Sequence, residues 1–111
     1  MKFELKNAEL KKFGNFEILE YPNRDKFPLD GAVVKVKNGV YPKKINHGFY
    51  ELFYVMKGYY DVEIDGNVTR VNEGDMFIIE PEKAHRCTAE HAEMFVVCTP
   101  PFDIKNVEFL E

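Results

Sequence analysis

Residues 39–58 read GVYPKKINHGFYELFYVMKG and place His47 and Glu51 four positions apart in apolar, aromatic sequence. On one straight strand, side chains four positions apart are separated by about 13 Å, too far to share a metal ion bonded at about 2 Å. Gly48 lies between them and can adopt backbone angles closed to other residues. If the chain reverses at Gly48, the flanking strands become antiparallel neighbours about 4.8 Å apart, and His47 faces Glu51.

The rest of the chain has the pattern of an all-β protein. Glycine and proline recur about every ten residues, with short runs rich in Val, Ile, Phe and Tyr between them, which is typical of a sandwich or barrel. The Asp65-Gly66 pair predicts a two-residue hairpin turn. The segment AELKKFG, residues 8–14, predicts one short helical turn near the N-terminus. The predicted strands are 16–20, 32–37, 51–56, 59–64, 67–71, 76–79, 85–89 and 93–98.

Composition restricts the class of protein. The 111 residues suffice for one domain, and the net charge of −4 comes with scattered basic residues, which argues against a nucleic-acid partner. The apolar runs are too short to span a membrane, and the N-terminus lacks a signal-peptide core, so we expect a cytoplasmic protein. Cys87 and Cys98 are too few for a disulfide scaffold, and we expect buried thiols.

Apolar residues occupy both faces of the predicted strand 51–56, and the strand 93–98 repeats this pattern. Alternate side chains point to opposite faces, so both faces should be covered. One face can line a barrel interior, whereas the other needs an N-terminal strand or a second subunit. The pattern therefore predicts a homodimer, and the alternative is that the ends of the chain cover this face.

The spacing of these residues resembles two motifs of the cupin family. The first motif is G-x5-H-x-H, three or four residues, Glu, six residues and Gly, and the second places a histidine eleven positions after a glycine. The matching residues are Gly39, His47, Glu51, Gly58, Gly74 and His85. The resemblance covers residues 32–99. It implies that residues 1–111 form a single cupin domain: a double-stranded β-helix, or jelly-roll barrel, with an internal pocket, covered by N-terminal strands and a C-terminal tail.

The sequence also departs from the family pattern. Ile45 stands where the family has its first histidine, and Ala89 stands where it has an asparagine. The resemblance therefore implies a reduced metal site of His47, Glu51 and His85 pointing into the barrel. Two histidines and a carboxylate suit a divalent Zn, Fe, Mn or Ni ion with open positions. The alternative is a hydrogen-bonded His–Glu pair without metal.

Further candidates surround this site. We expect a substrate pocket that includes Phe49, Phe53, Tyr54 and Cys87, although each of them also suits a packing role. Cys87 shares the strand parity of His85, so it could also supply a soft fourth ligand. His91 lies in a charged connection and is expected to be exposed. Of Lys43 and Lys44, one could meet an anionic ligand at the barrel mouth, but a solvated surface position is the simpler interpretation.

Function follows from the resemblance and not from the fold pattern. It implies a metal-dependent enzyme acting on a small polar metabolite, with isomerase, epimerase and dioxygenase chemistry all within the family. The Pro-Pro-Phe run at 100–102 is similar to that of small cupins grouped as sugar-phosphate isomerase-like. The alternative is a non-catalytic sensor or carrier that binds a sugar-like ligand. The motifs of nucleophilic hydrolases, phosphate-binding loops and zinc ribbons are absent.

Overall fold

The computed structural model describes residues 1–22 and 26–111. Within that part of the chain there are eight strands and two three-residue 3₁₀ turns, Leu5–Asn7 and Ile104–Asn106. Neither turn is long enough to cross a bilayer. The strands are β1 (Glu9–Phe13), β2 (Phe16–Glu20), β3 (Ala32–Asn46), β4 (Tyr50–Ile64), β5 (Asn67–Asn72), β6 (Met76–Ile79), β7 (His85–Thr99) and β8 (Val107–Phe109).

All strand pairs are antiparallel, and three long strands organise the barrel. β7 pairs with β3 on one side and with β4 on the other, and the full order is β1-β2-β3-β7-β4-β5. β6 adds to β4, and β8 adds to β3. This antiparallel arrangement is a jelly-roll, or double-stranded β-helix, so the predicted fold class is confirmed.

Several predicted strands are halves of longer ones. The segments 51–56 and 59–64 are both part of β4, and 85–89 and 93–98 are both part of β7. The sequence suggests breaks because the pairing of β4 with β7 contains two register shifts, one with the extra residue on β4 and one with it on β7, and a bulge adds a residue without ending the strand. The hairpin at Asp65-Gly66 is confirmed, since both residues have the positive φ of a type I′ turn, +53° and +78°.

The helical turn predicted for residues 8–14 is wrong in position. β1 covers most of that segment and pairs with β2 along its whole length, with Phe13 opposite Phe16. An ion pair of 3.0 Å between Lys11 and Glu20 also joins the two strands. Strand pairing therefore overrides the weak helical propensity of this segment. The helical turn that does form lies just before it, at Leu5–Asn7.

The hairpin predicted around Gly48 is also wrong. Gly48 does have a positive φ of +78°, so the chain turns there. However, β3 and β4, which flank the turn, are not paired, because β7 lies between them in the sheet. The backbone N–H of His47 instead donates to the carbonyl of Asn106, at 2.8 Å. The turn connects two parts of the barrel and does not close a local hairpin.

Gly58 and Gly48 provide a matched test of this backbone. Both have φ near +77°, but a Cβ on Gly58 would lie 1.9 Å from the His91 carbonyl oxygen, whereas a Cβ on Gly48 meets nothing within 4 Å. Gly48→Ala should cost about 1–2 kcal/mol of unfolding free energy through backbone strain alone. Gly58→Ala should cost clearly more, because β7 must move away from the β4 bulge. Urea unfolding measures both, and equal losses would contradict the close approach.

Candidate functional site

A bulge in β3 decides which side chains enter the barrel. Tyr41 lies opposite Cys87 on β7, and the next paired residue is Lys44, opposite His85, so β3 carries one extra residue there. Pro42 lies in this stretch, as expected of a residue that sheets accept at bulges. After the extra residue, the side chains that would have pointed out of the barrel point into it, and the reverse. Lys44 is consequently buried, contrary to the solvated position that we considered simplest.

The shifted alternation brings three polar side chains to within 4 Å of one carboxylate oxygen of Glu51. The Nδ2 amide of Asn46 donates to Glu51 Oε1 at 2.9 Å. Lys44 Nζ lies 3.4 Å from the same oxygen, and His85 Nε2 lies 3.9 Å from it. Lys44, Asn46 and His85 are at most 6% exposed. The barrel interior therefore contains a compact polar cluster formed by β3, β4 and β7.

Glu51 and Lys44 form an ion pair in this cluster. Burial alone would raise the pKa of Glu51, but the Lys44 ammonium and the Asn46 amide outweigh it and hold the pKa below its usual 4.5. Burial alone would lower the pKa of Lys44, and the Glu51 carboxylate reverses this effect. The Tyr41 ring also faces the ammonium, with its centroid 4.8 Å from Nζ. Both groups are therefore charged at neutral pH.

His85 presents an unpaired nitrogen to the cavity. Its Nδ1 lies 2.8 Å from the Lys83 carbonyl, which can only accept, so Nδ1 carries the proton and Nε2 has a lone pair. Burial is the main cause that lowers the pKa of His85 below 6.5, so the ring is neutral at pH 7. His85 Nε2 and Asn46 Oδ1 have no hydrogen-bond partner among the described residues. Buried acceptors without a partner are rare, and His85, which lines the cavity, can accept a hydrogen bond from a ligand there.

The polar cluster opens into a cavity of about 100 Å³. Its wall is mostly apolar and aromatic, with contributions from Phe16, Val34, Tyr41, Phe53, Tyr60 and Met94. Lys44, Glu51 and His85 also line it. An apolar wall with a few polar groups is the usual composition of a small-molecule site. The geometry therefore suits a compact organic ligand.

The four predicted pocket residues divide into two groups. Phe53 and Cys87 line the cavity. Phe49 is buried elsewhere, against the ring of Phe102 at 5.9 Å, and Tyr54 lies on the outer face of β4 with 43% of its surface exposed. The pocket assignment of Phe49 and Tyr54 is thus corrected. Burial raises the pKa of the Cys87 thiol to about 12, which keeps it protonated at neutral pH.

His47 lies outside the cluster, which corrects the predicted convergence of three ligands. Its ring is about half exposed and lies between two carboxylates, with Glu82 Oε2 2.5 Å from Nδ1 and Glu108 Oε1 2.8 Å from Nε2. The backbone N–H of Gly48 donates to the other oxygen of Glu82. Hydrogen bonds to Glu108 and Glu82 raise the pKa of His47. The structure therefore brings Glu51 and His85 together but not His47.

The residues present do not fit the divalent ion that the family resemblance implies. Across residues 1–22 and 26–111, no group of three or more His, Cys, Asp and Glu side chains is placed to hold a metal. An ion on Glu51 and His85 would also approach the Lys44 ammonium. At about 4 Å and an effective dielectric constant of about 20, that repulsion amounts to about 8 kcal/mol. A Zn, Fe, Mn or Ni ion would have to displace the ammonium first.

Asn46 is a site residue that the sequence analysis does not identify, and Lys44 is expected there at the surface or the barrel mouth and not inside the barrel. Two signals could have identified them. Pro42 interrupts a strand pattern and is typical of a bulge, and a bulge exchanges the inward-facing and outward-facing residues that follow it. The cupin motif also allows four residues before the glutamate, and that spacing starts from Asn46 and not from His47.

Comparisons with known proteins agree with this architecture. No curated protein matches the sequence. Pac13 of Streptomyces, a nucleoside dehydratase, has a TM-score of 0.90 at 15% identity, with 100% of this chain and 91% of that chain covered. Ectoine synthase from P. lautus has a TM-score of 0.79 at 16% identity, covering 100% and 90%. KdgF from Halomonas sp. has a TM-score of 0.75 at 19% identity, covering 93% and 96%.

Because the identities are below 20%, these structural likenesses show the fold alone. The family follows from the sequence itself. The cupin domain model matches residues 32–99, the same stretch that forms β3 to β7 and the polar cluster. The chain therefore belongs to the cupin domain family.

Proposed function

We propose that this protein is an enzyme that carries out acid–base chemistry on a small polar metabolite inside the barrel, with His85 as the base. One observation carries the proposal: a buried, neutral imidazole directs an unpaired Nε2 into a cavity of small-molecule size. A neutral histidine at pH 7 is a suitable proton acceptor. Most of the cavity wall is apolar, which strengthens electrostatic interactions near His85.

The arrangement suits proton removal from a carbon next to a carbonyl group. The C–H bond breaks, the proton moves to His85 Nε2, and the electron pair moves onto the carbonyl oxygen. Lys44 Nζ has N–H groups beyond the one directed at Glu51, and these can stabilise the enolate oxygen. Return of the proton to the former carbonyl carbon is an isomerisation, in which the proton of the neighbouring hydroxyl passes to the enolate oxygen and a new carbonyl group forms at that neighbouring carbon. In a dehydration the enolate electron pair re-forms the carbonyl group, a C=C bond forms, and a hydroxyl group on the next carbon leaves as water with the proton from His85.

The polar groups also indicate the character of the ligand. His85 Nε2 requires a donor, and Lys44 requires an acceptor. A hydroxylated carbonyl compound supplies both. Structural neighbours with this barrel include a nucleoside dehydratase, and variants of that protein have been solved with uridine, which supports a ligand with several hydroxyl groups. The narrower prediction of a sugar-phosphate isomerase-like activity stays a prediction.

The alternative function is a sensor or carrier without turnover. The observation in its favour is that the unpaired Nε2 of His85 requires only a hydrogen-bond donor, not a reaction. In this case the same ligand would bind, and His85 would serve as a hydrogen-bond acceptor alone. Binding and proton exchange must therefore be measured separately.

A variant pair tests the base. With the protein in D₂O, proton NMR follows C–H exchange in a panel of aldoses, ketoses and nucleoside aldehydes. His85→Gln should reduce exchange by about 10²–10⁴-fold, the usual contribution of a general base. His47→Gln is the control and should stay close to wild type, because His47 lies outside the cavity. Full exchange in His85→Gln would contradict the proposal, and thermal shifts without any exchange would favour the sensor.

The protonation states of the histidines can be checked without a substrate. Long-range ¹H–¹⁵N NMR should find His85 neutral at pH 7 with its proton on Nδ1. Its pKa should lie below 6.5 and that of His47 above 6.5. Because unfolded His85 binds its proton more readily than the folded form, its contribution lowers the unfolding free energy as the pH falls below 6.5. A cationic His85 at pH 7 would contradict its role as the base.

The homodimer is a further proposal, supported by an apolar row on the outer sheet face. Tyr54 on β4 pairs with Met76 on β6 and with Phe95 on β7, and each is at least 37% exposed. Phe95 is in turn opposite Val33 on β3. An exposed apolar patch that crosses several strands commonly marks an interface.

Light scattering tests the dimer. The wild-type protein should have about twice the monomer mass of 13.0 kDa. Tyr54→Lys places a charge in the middle of the apolar row and should reduce the mass to that of the monomer. Val68→Lys is the control, because Val68 is 62% exposed on β5 and lies outside the row. A monomeric wild-type protein would refute the proposal.

A further inference from the structure

We propose that the Lys44 ammonium is the resident cation of this barrel and takes the place that a divalent ion has in a cupin with the full histidine set. The site would then hold ligand oxygens through an ammonium and not through a metal. This inference concerns the same cavity as the proposed function, but it does not require turnover. It depends on the register of β3 and on the contacts around Glu51.

The register places Lys44 and Asn46 at the two histidine positions of the first motif. Because of the bulge between Tyr41 and Lys44, the inward-facing residues are Lys44 and Asn46 and not Ile45 and His47. Four residues then separate Asn46 from Glu51, which is the longer spacing that the motif allows. His85 holds the histidine position of the second motif. The four positions that ligate the ion in the full set are therefore occupied by one lysine, one asparagine, one glutamate and one histidine.

The contacts agree with that assignment independently of the motif. Lys44 and His85 are cross-strand neighbours, and the side chains of Lys44, Asn46 and His85 all lie within 4 Å of Glu51 Oε1. Metal ligands likewise converge on one point from separate strands. In this barrel the point is a carboxylate oxygen, and the positive charge beside it is covalently attached to β3.

The ammonium is held at this position. The Lys44 side chain is 7% exposed, lies 3.4 Å from Glu51 Oε1 and is directed at the face of the Tyr41 ring. Its charge balances that of Glu51, so the cluster needs no further cation. Asn46 contributes an amide where a metal site would have an imidazole, and its Nδ2 is already used by Glu51. Both replacements favour a neutral, metal-free cluster.

A gain of metal binding tests the proposal directly. The double variant K44H/N46H restores the family's ligand set and should bind Co²⁺ with about one equivalent per chain. Visible absorption reports the coordinated cobalt, and elemental analysis after dialysis gives the stoichiometry. The wild-type protein and His47→Ala should both retain far less metal than the double variant. Adding His85→Ala to the double variant should abolish binding.

Two results would overturn the proposal. One is a wild-type protein that retains about one equivalent of Co²⁺ or Zn²⁺ and loses it on His85→Ala. The other is a folded double variant, as judged by circular dichroism, that binds no more cobalt than wild type. If the double variant does not fold, the single variant Lys44→His answers the same question: cobalt binding above wild type supports the proposal, and binding equal to wild type overturns it. A failed exchange assay would affect the proposed enzyme and not this result.

Discussion

A buried ion pair between Lys44 and Glu51 organises the polar part of the barrel, and the other features of the site depend on it. Removing two charges from water is costly, and in this cavity the cost is offset by the 3.4 Å contact, the Asn46 amide and the Tyr41 ring. Loss of one partner from such a pair typically costs about 3–5 kcal/mol, because the other charge stays buried. The pair also leaves His85 without a partner for Nε2, so the imidazole is available to a ligand.

The pair exists because β3 contains one extra residue. A shift of one residue moves every following side chain to the opposite face of a strand. Here the shift brings Lys44 and Asn46 into the barrel and sends His47 out of it. His47 then connects the turn at Gly48 to the C-terminal strand through Glu108 and to the segment before β7 through Glu82. The histidine that the motif places in the metal site thus acts as a link between surface segments.

Much of the fold could be predicted from the sequence. Alternating apolar residues, regular glycines and prolines, and the Asp65-Gly66 turn are local signals, and they indicate an all-β jelly-roll. Glu51 and His85 also lie together inside the barrel, as the motif spacing predicts. The full lengths of β4 and β7 could not be predicted, because a bulge and a true strand end have similar local sequences.

The positions of Lys44 and Asn46 inside the barrel could not be predicted, because both depend on the single bulge in β3. Nothing in the alternation of residues 39–47 marks the extra residue except Pro42, whose effect on parity is visible only once β3 is paired with β7. Lys44 therefore resembled a surface lysine, and its burial follows from tertiary structure. The same bulge explains why His47, which the family motif places among the metal ligands, lies outside the barrel interior.

The carboxyl group of Glu51 is the most direct probe of this arrangement. Its ionisation can be followed by carbon-detected NMR in the wild-type protein and in Lys44→Met. We expect a pKa below 4.5 in the wild type, where the ammonium stabilises the carboxylate, and a clearly higher pKa in Lys44→Met, where burial dominates. A Glu51 carboxyl that titrates identically in the two proteins would contradict the buried ion pair.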